Sequence, residues 1–163
     1  HEVTLTLSEP PGGRVLATAS RRFSVSAEPR GAVLLYHSRP LEIYRPRWVL
    51  RCIESILSQS FKRFDILELD YAPSGFSAVA FYLNSTGARP LPPGVSHTLV
   101  ARPLANHARA AGALARMAFS RGYDYAFNCH LDDWYPPERF AREAGALAGG
   151  ADVVSGGFRY VRE

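Results

Sequence analysis

The chain has 163 residues, of which 47% are apolar and 21% charged, a composition typical of a globular domain with its own core. It contains no run of about 18 apolar residues, so the sequence predicts no membrane span. The net charge of +4 comes almost entirely from arginine, since Lys62 is the only lysine. These arginines are scattered without forming a stripe, so we expect no nucleic-acid partner.

The first 30 residues differ in composition from the rest of the chain. Residues 2–9 alternate between apolar and polar, residues 10–13 form a proline-glycine turn signal, and residues 15–25 resume a strand-like composition. This pattern predicts a β-hairpin, or the tail of a preceding β-domain, over residues 1–30. Residues 31–163 are expected to form the second unit.

Buried strands alternate with helices from residue 32 onward. We expect strands over residues 32–36, 64–70, 95–100, 125–131 and 151–155, the last extending to 161, and helices over residues 49–57, 76–83, 105–121 and 138–147. The alternation predicts an α/β fold with a Rossmann-like, mostly parallel open sheet and helices on both faces. Ligands of such sheets bind at the carboxyl ends of the strands.

Polar residues stand at three of these strand ends. The first strand ends at Tyr36 and the second at Asp70, while the fourth leads into His130, Asp132 and Asp133. Adjacent carboxylates repel each other unless a positive charge lies nearby, and a divalent cation with a bound diphosphate commonly supplies it. The alternative is that both aspartates lie at a helix N-terminus, where they would stabilise the exposed amides.

Four segments also match one family in order, spacing and content. Residues 51–61 read Arg-Cys-Ile-Glu-Ser-Ile-Leu-Ser-Gln-Ser-Phe, and residues 64–70 form an apolar strand that ends in aspartate. Residues 122–136 combine a strand with an acidic turn, and residues 151–157 contain an Ala-Asp-Val-Val strand. Over roughly residues 32–161 this set resembles the family 2 glycosyltransferases of the GT-A fold.

The resemblance implies a GT-A-like nucleotide-sugar-binding domain over residues 31–163, incomplete at its C-terminus because the family's acceptor site and general base follow the metal motif. It implies an enzyme that transfers a sugar, with inversion, from a nucleoside-diphosphate sugar to an unidentified glycan, protein or lipid acceptor. The implied cofactor is Mn²⁺ or Mg²⁺. No catalytic base is assigned.

Site residues follow from the same resemblance, position by position. Asp132 matches the family's metal ligand, and Asp133 follows it. Asp70 matches the acid that recognises the nucleotide base. The remaining matches are Tyr36, His37 and Ser38 in the base-binding loop, Asn106 and Arg109 near the diphosphate, and His130 beside the metal ligand.

The sequence also departs from the family pattern. His130 stands where the first aspartate of the DxD motif would be, and Tyr71 replaces a second aspartate after Asp70. A catalytically incomplete nucleotide-sugar-binding module therefore stays an alternative to the enzyme. A nucleotidyltransferase or a dehydrogenase would need a glycine-rich loop after the first strand, and residues 36–41 contain no glycine.

Other aromatic, histidine and cysteine side chains allow more than one interpretation. Trp134 and Tyr135 could stack on a sugar or pack the loop onto the next helix. We expect His97 and His107 to be surface or capping residues, and Cys52 and Cys129 to be buried thiols. The compartment is not fixed by the sequence, although the cytoplasm is favoured over the Golgi lumen.

Overall fold

The computed structural model describes residues 2–8, 15–22, 28–87 and 90–156, with side chains from residue 28 onward. In chain order the elements are β1 (Glu2–Ser8), β2 (Val15–Arg22), β3 (Gly31–His37), α1 (Pro40–Ile43), α2 (Pro46–Leu57), β4 (Phe64–Asp70), α3 (Ala78–Ser85), β5 (His97–Ala101), α4 (His107–Ser120), β6 (Tyr125–Cys129) and α5 (Arg139–Ala148). None of the helices in these ranges is long and apolar enough to cross a membrane.

Four of the described strands form one open sheet in the order β5-β4-β3-β6. All three pairings are parallel, with His37 opposite Asp70 and Leu35 opposite Cys129. The predicted open parallel sheet of an α/β fold is therefore confirmed. The chain winds outward from β3 to β5 and then returns to place β6 on the other side of β3. This reversal creates a crevice between β3 and β6 at the carboxyl edge, where ligands of such sheets bind.

Helices cover both faces of the sheet, as the sequence predicts. Alternate residues of β3 point to opposite faces, so Val33 packs in one core cluster and Leu34 in another. The first cluster contains buried residues of α2, α3 and α5, and the second contains those of α4. In the first cluster Phe127 stacks on Phe140 with ring centroids 4.3 Å apart. A Cβ at Gly31 would lie 2.3 Å from the Phe127 ring, so only glycine fits there.

Several predicted elements begin or end differently in the structure. The predicted strand over residues 151–155 is wrong, because residues 151–156 form no strand, and its extension to 161 lies outside the described residues. The loop between β3 and α2 contains the extra one-turn helix α1, which the sequence reading missed. The third helix begins at Ala78 and not at residue 76, because the Ser77 side chain caps it by accepting a hydrogen bond from the Ala80 amide.

The N-terminal strands β1 and β2 pair with each other and not with the main sheet. They are antiparallel, with Glu2 opposite Arg22. The turn of the predicted hairpin falls on residues 9–14, which lie outside the described residues, as do residues 23–27 before the sheet. The assignment of residues 1–30 to a hairpin or to a preceding β-domain therefore stays a prediction.

Candidate functional site

The crevice between β3 and β6 is lined by side chains from both strands. The Tyr36 hydroxyl lies 3.2 Å from Nε2 of His130, and the two rings meet edge to face with centroids 5.2 Å apart. The side-chain Nδ2 atom of Asn128 lies 3.3 Å from the same Nε2 atom. Tyr36 is 5% exposed, and burial raises its pKa, so its hydroxyl is a neutral hydrogen-bonding group. The structure thus brings Tyr36 and His130 together at the predicted edge.

His107 belongs to the same group, although the sequence reading treated it as a surface or capping residue. It is exposed and is the first residue of α4. Its ring centroid lies 5.6 Å from that of Tyr36 and 6.2 Å from that of His130. The Tyr71 hydroxyl lies 3.2 Å from its Nδ1 atom. Tyr71 follows β4 and His107 begins the helix after β5, so only the strand order could have indicated their closeness.

Asp132 and Asp133 follow β6 in a short turn. Asp132 is exposed and Asp133 is half-buried, and the Asp133 amide donates to the His130 carbonyl over 3.2 Å. Burial, with the nearby charge of Asp132, raises the pKa of Asp133. Neither aspartate caps a helix, since α5 begins at Arg139 after its N-cap residue Glu138. The helix-capping interpretation of this acidic pair is therefore wrong.

The acidic pair fits one kind of metal site. No group of three or more His, Cys, Asp or Glu side chains that could hold a metal ion occurs in the part of the chain that the structure describes. Mg²⁺, however, is commonly bound by one or two carboxylates together with waters and the phosphates of a substrate. Asp132 and Asp133 match that donor set because their carboxylates are adjacent and mutually repulsive. Such a donor pair would need the remaining ligands of a cation to come from waters or a bound phosphate.

The turn that contains these aspartates is anchored on α2 and the residues just beyond it. Gln59 is fully buried. Its side-chain Nε2 donates to the Pro136 carbonyl over 2.8 Å, and its Oε1 accepts from the Phe140 backbone amide over 3.0 Å. Ser55 accepts from the Tyr135 amide over 3.1 Å. The Cys52 thiol donates to the His130 carbonyl over 3.1 Å. The helix signature of residues 51–61 therefore has a physical role, which is to position the turn after β6.

The two aromatic residues after the acidic pair have different surroundings. The Tyr135 hydroxyl accepts from the His130 amide over 2.7 Å, and Tyr135 packs against the first core cluster. This contact supports the packing interpretation for Tyr135. Trp134 is half-exposed, and the guanidinium of Arg51 lies 3.8 Å from the centroid of its ring. Stacking of a sugar on Trp134 stays a prediction.

Two predicted base-binding side chains lie below the crevice. His37 is 1% exposed, and its Nε2 atom lies 2.7 Å from a Glu68 carboxylate oxygen. Asp70 is fully buried and accepts hydrogen bonds from the Ala72 amide, the Ser74 hydroxyl and the Gly75 amide. Both side chains are buried and have protein partners, and their predicted contacts with a base stay predictions. Asp70 shapes the loop that follows β4.

Glu68 is the centre of a buried cluster that the sequence reading missed. Its carboxylate accepts from the Ser77 hydroxyl over 2.8 Å and from the Ala78 amide at the N-terminus of α3. Nε2 of His97 lies 2.7 Å from it, opposite His37. Burial alone would raise the pKa of Glu68, but the hydrogen bonds from His37 and His97 lower it to about 2. The surface role expected for His97 is wrong.

The remaining predicted residues lie near the crevice with differing roles. Asn106 is the N-cap of α4, and its side chain accepts from the Arg109 amide over 3.0 Å. Arg109 is exposed in the first turn of α4, and Ser38 is half-exposed after β3. Each of these three residues lies within two positions of His107 or Tyr36 along the chain, without contacts that define a ligand. The roles predicted for them beside a diphosphate or a base stay predictions.

The two cysteines are buried thiols, as predicted. Burial raises the pKa of the Cys52 thiol well above its ordinary value and that of Cys129 to about 12. Both thiols are therefore protonated at neutral pH and unsuited to nucleophilic chemistry.

Comparison with known proteins adds no family assignment. No protein-family model matches the chain, and no relative is found among the curated proteins. One edge of the parallel sheet combines the exposed Asp132 and the half-buried Asp133 with imidazole, hydroxyl and guanidinium groups, and it is the edge where ligands of such sheets bind.

Proposed function

We propose that this chain binds a nucleoside-diphosphate sugar at the carboxyl edge of its sheet and is the donor-binding domain of a metal-dependent, inverting glycosyltransferase of the GT-A type. The observation that supports this most strongly is the position of Asp132. It is exposed, lies three residues beyond β6, and follows His130, which contacts Tyr36 across the reversal in strand order. The match to family 2 segments adds a reason to choose glycosyl transfer over other reactions of diphosphates.

The polar groups around Asp132 suit a diphosphate only when a cation is present. Asp132 and Asp133 would repel the phosphate oxygens, whereas His107, Arg109 and the N-terminal amides of α4 would attract them. A divalent cation bound by Asp132 would neutralise charge on the diphosphate as it departs. Tyr36 and His130 would then orient the ligand at the crevice wall. In this proposal the protein provides positioning and electrostatic stabilisation.

The alternative is a binding module with the same fold and no transfer activity. One feature that favours it is that His130 occupies the position of the first DxD aspartate and has its Nε2 atom against Tyr36 and Asn128. In addition, the buried Asp70 is fully engaged by its own loop. Such a module would bind the donor and leave it intact.

Calorimetric titration with UDP, GDP and ADP, each with and without Mn²⁺, tests the binding step. We expect one of these nucleotides to bind in the presence of Mn²⁺ and to bind at least about tenfold more weakly without it. The matched control is the Asp132→Asn variant, which retains the size of the side chain but removes its charge. Nucleotide binding that is equal in the parent and the variant, or independent of Mn²⁺, contradicts the proposal.

Turnover of the bound donor separates the enzyme from the module. The chain is incubated with the nucleoside-diphosphate sugar whose nucleotide binds, a panel of glycan, peptide and lipid acceptors, and Mn²⁺. Release of the nucleoside diphosphate together with a glycosylated acceptor of inverted anomeric configuration supports the enzyme. Since the family resemblance predicts that the general base follows residue 163, binding without release of the nucleoside diphosphate supports the module when it is also found with an acceptor half added to the chain.

A further inference from the structure

We propose that the segment from Arg39 to Arg51 is a docking surface for an anionic phospholipid bilayer. This segment, named here the α1–α2 surface, comprises α1, the turn after it, and the first half of α2. It joins the carboxyl end of β3 to α2 and so lies at the edge of the sheet that contains the crevice. None of the proposed nucleotide-binding residues belongs to this segment, although its Tyr44 lies near enough to Asp132 and Asp133 to be affected by their charges.

Exposed apolar side chains are concentrated in α1. Leu41 is 44% exposed and Ile43 is 60% exposed, although they lie within a single helical turn. The other exposed large apolar residues in the described part of the chain lie singly, Leu99 on β5, Phe119 on α4 and Val153 beyond α5. Single exposed apolar residues are normal on protein surfaces, whereas grouped ones mark a site of interaction.

The backbone at the start of this segment is strained. Arg39 has a φ of 44° and is the only non-glycine residue with positive φ among the residues described. A left-handed conformation costs an arginine free energy, and such conformations persist where the surrounding structure requires a particular chain direction. Here the left-handed residue immediately precedes the exposed turn of α1. The left-handed conformation of Arg39 therefore fixes the direction in which the chain enters α1.

Basic side chains are frequent in the same segment. The segment contains four arginines, at positions 39, 45, 47 and 51, and a single acid, Glu42. Although arginines are scattered over the chain as a whole, this segment is clearly cationic. The guanidinium of Arg45 lies 5.5 Å from the ring centroid of Trp48, and that of Arg51 stacks on Trp134. Arginine beside tryptophan is a combination suited to the headgroup region of a membrane.

An anionic bilayer is the occupant that matches both properties. Exposed aliphatic side chains can enter the boundary between headgroups and acyl chains while arginines contact the lipid phosphates. A nucleic-acid surface would leave Leu41 and Ile43 against charged phosphates, which gives no apolar burial. If glycosyl transfer is the function, as proposed above, docking through this surface turns the crevice toward the bilayer, and the acceptor is then a lipid-linked hydroxyl compound.

Co-sedimentation with vesicles tests the docking surface. The chain is mixed with vesicles of phosphatidylcholine alone or of equimolar phosphatidylcholine and phosphatidylglycerol, at low and high salt. We expect binding to the anionic vesicles only, weakened by salt. The double variant Leu41→Asn with Ile43→Asn should bind about tenfold more weakly. Arg39→Gln and Arg45→Gln should each weaken binding about fivefold.

Matched controls come from the opposite edge of the sheet, near the C-terminus of α4. Phe119→Asn removes an apolar side chain of similar exposure, and Arg121→Gln removes an exposed charge. Neither should change vesicle binding. Equal losses in the control and test variants, or no binding of the parent chain to anionic vesicles, would overturn the proposal, as would binding only to a protein partner.

Two further measurements complete the test. Both tryptophans of the chain lie at this edge, so their fluorescence should shift to shorter wavelength when anionic vesicles bind, and an unchanged spectrum counts against docking through this surface. Mn²⁺-dependent nucleotide binding should be unchanged in the Leu41 and Ile43 double variant. Vesicle binding without nucleotide binding would contradict the proposed function alone, and nucleotide binding without vesicle binding would contradict the docking surface alone.

Discussion

The two edges of the parallel sheet use polar side chains for different purposes. At the amino edge, Asp65 is bound by the Arg30 guanidinium at 2.6 Å, the Ser96 hydroxyl at 2.6 Å and the Tyr123 hydroxyl at 2.7 Å. At the carboxyl edge, Asp132 is exposed beside the half-buried His130. Polar groups that satisfy one another stabilise a fold, whereas polar groups that remain accessible can bind a ligand. The first edge therefore stabilises the fold, and we expect the second to bind the ligand.

The largest expected effect is at the carboxyl edge. Asp132→Ala should abolish detectable Mn²⁺-dependent nucleotide binding, because the cation loses its exposed carboxylate. The free energy of unfolding should be nearly unchanged, since the Asp132 side chain is exposed. Calorimetry and urea unfolding measure the two quantities. A variant that binds as well as the parent would remove the functional distinction between the edges.

The second largest effect is expected in acid, where the contribution of the buried Glu68 to the stability of the fold should be lost. Its pKa is lowered from 4.5 to about 2 in the folded chain. Its contribution to stability is therefore complete above pH 4.5 and is lost as the pH falls from there toward 2, and it amounts to about 3 kcal/mol. Urea unfolding of the parent and of Glu68→Gln across this range should show a difference that disappears at the acid end.

A matched variant serves as the control for assigning the acid sensitivity to Glu68. Glu54→Gln removes an exposed glutamate of α2, and its stability relative to the parent should change little with pH. If Glu54→Gln and Glu68→Gln show the same pH dependence, the buried cluster is not the source of the acid sensitivity.

At the amino edge, replacing Asp65 should lower the stability of the fold and leave nucleotide binding unchanged, which is the reverse of the effects expected for Asp132. Burial alone would raise the pKa of Asp65, but hydrogen bonds from Arg30, Ser96 and Tyr123 hold it well below its ordinary value. Asp65→Ala leaves those donors without their acceptor and should cost about 2 kcal/mol of unfolding free energy. Nucleotide binding by the folded variant should equal that of the parent. Asp152→Ala, an exposed aspartate, is the control for stability.

The smallest effect is expected at Asp133. Because burial and the charge of Asp132 raise its pKa, its carboxylate is slightly unfavourable at neutral pH. Asp133→Asn should therefore stabilise the chain by no more than about 0.5 kcal/mol, since solvent screens much of the repulsion. Nucleotide binding should fall, yet by less than in Asp132→Ala. A loss of binding as complete as that of Asp132→Ala would make the two aspartates equal metal ligands.

The fold was largely predictable from local patterns. The apolar runs that became β3 and β4 and the three-and-four spacing of Val49, Cys52, Ile53 and Ile56 depend on nearest neighbours in the chain. The placement of Tyr36 and His130 at one edge was also predictable, since parallel strands align their carboxyl ends, whereas their contact depends on β6 lying beside β3. The predicted strand at 151–155 failed because its β-branched residues Val153 and Val154 suit a strand, yet the chain there forms no ladder.

What the sequence could not indicate depends on strand order. Glu68 contacts His37 and His97 only because β4 lies between β3 and β5. Without that order His37 looks like a loop residue and His97 like a surface residue. The inward direction of Asp70 was hidden for a related reason, because its partners at positions 72–75 belong to a loop whose shape has no periodic signal.

The buried amide of Gln59 bears on any attempt to transplant this site. Its hydrogen bonds join the end of α2 to the chain at Pro136 and Phe140 through an uncharged side chain. Since an amide has no charge to titrate or screen, the joint holds equally at acid or neutral pH and at any salt concentration. The acidic turn and α2 therefore form a single transferable part, and a graft of the turn without the helix would lose its shape.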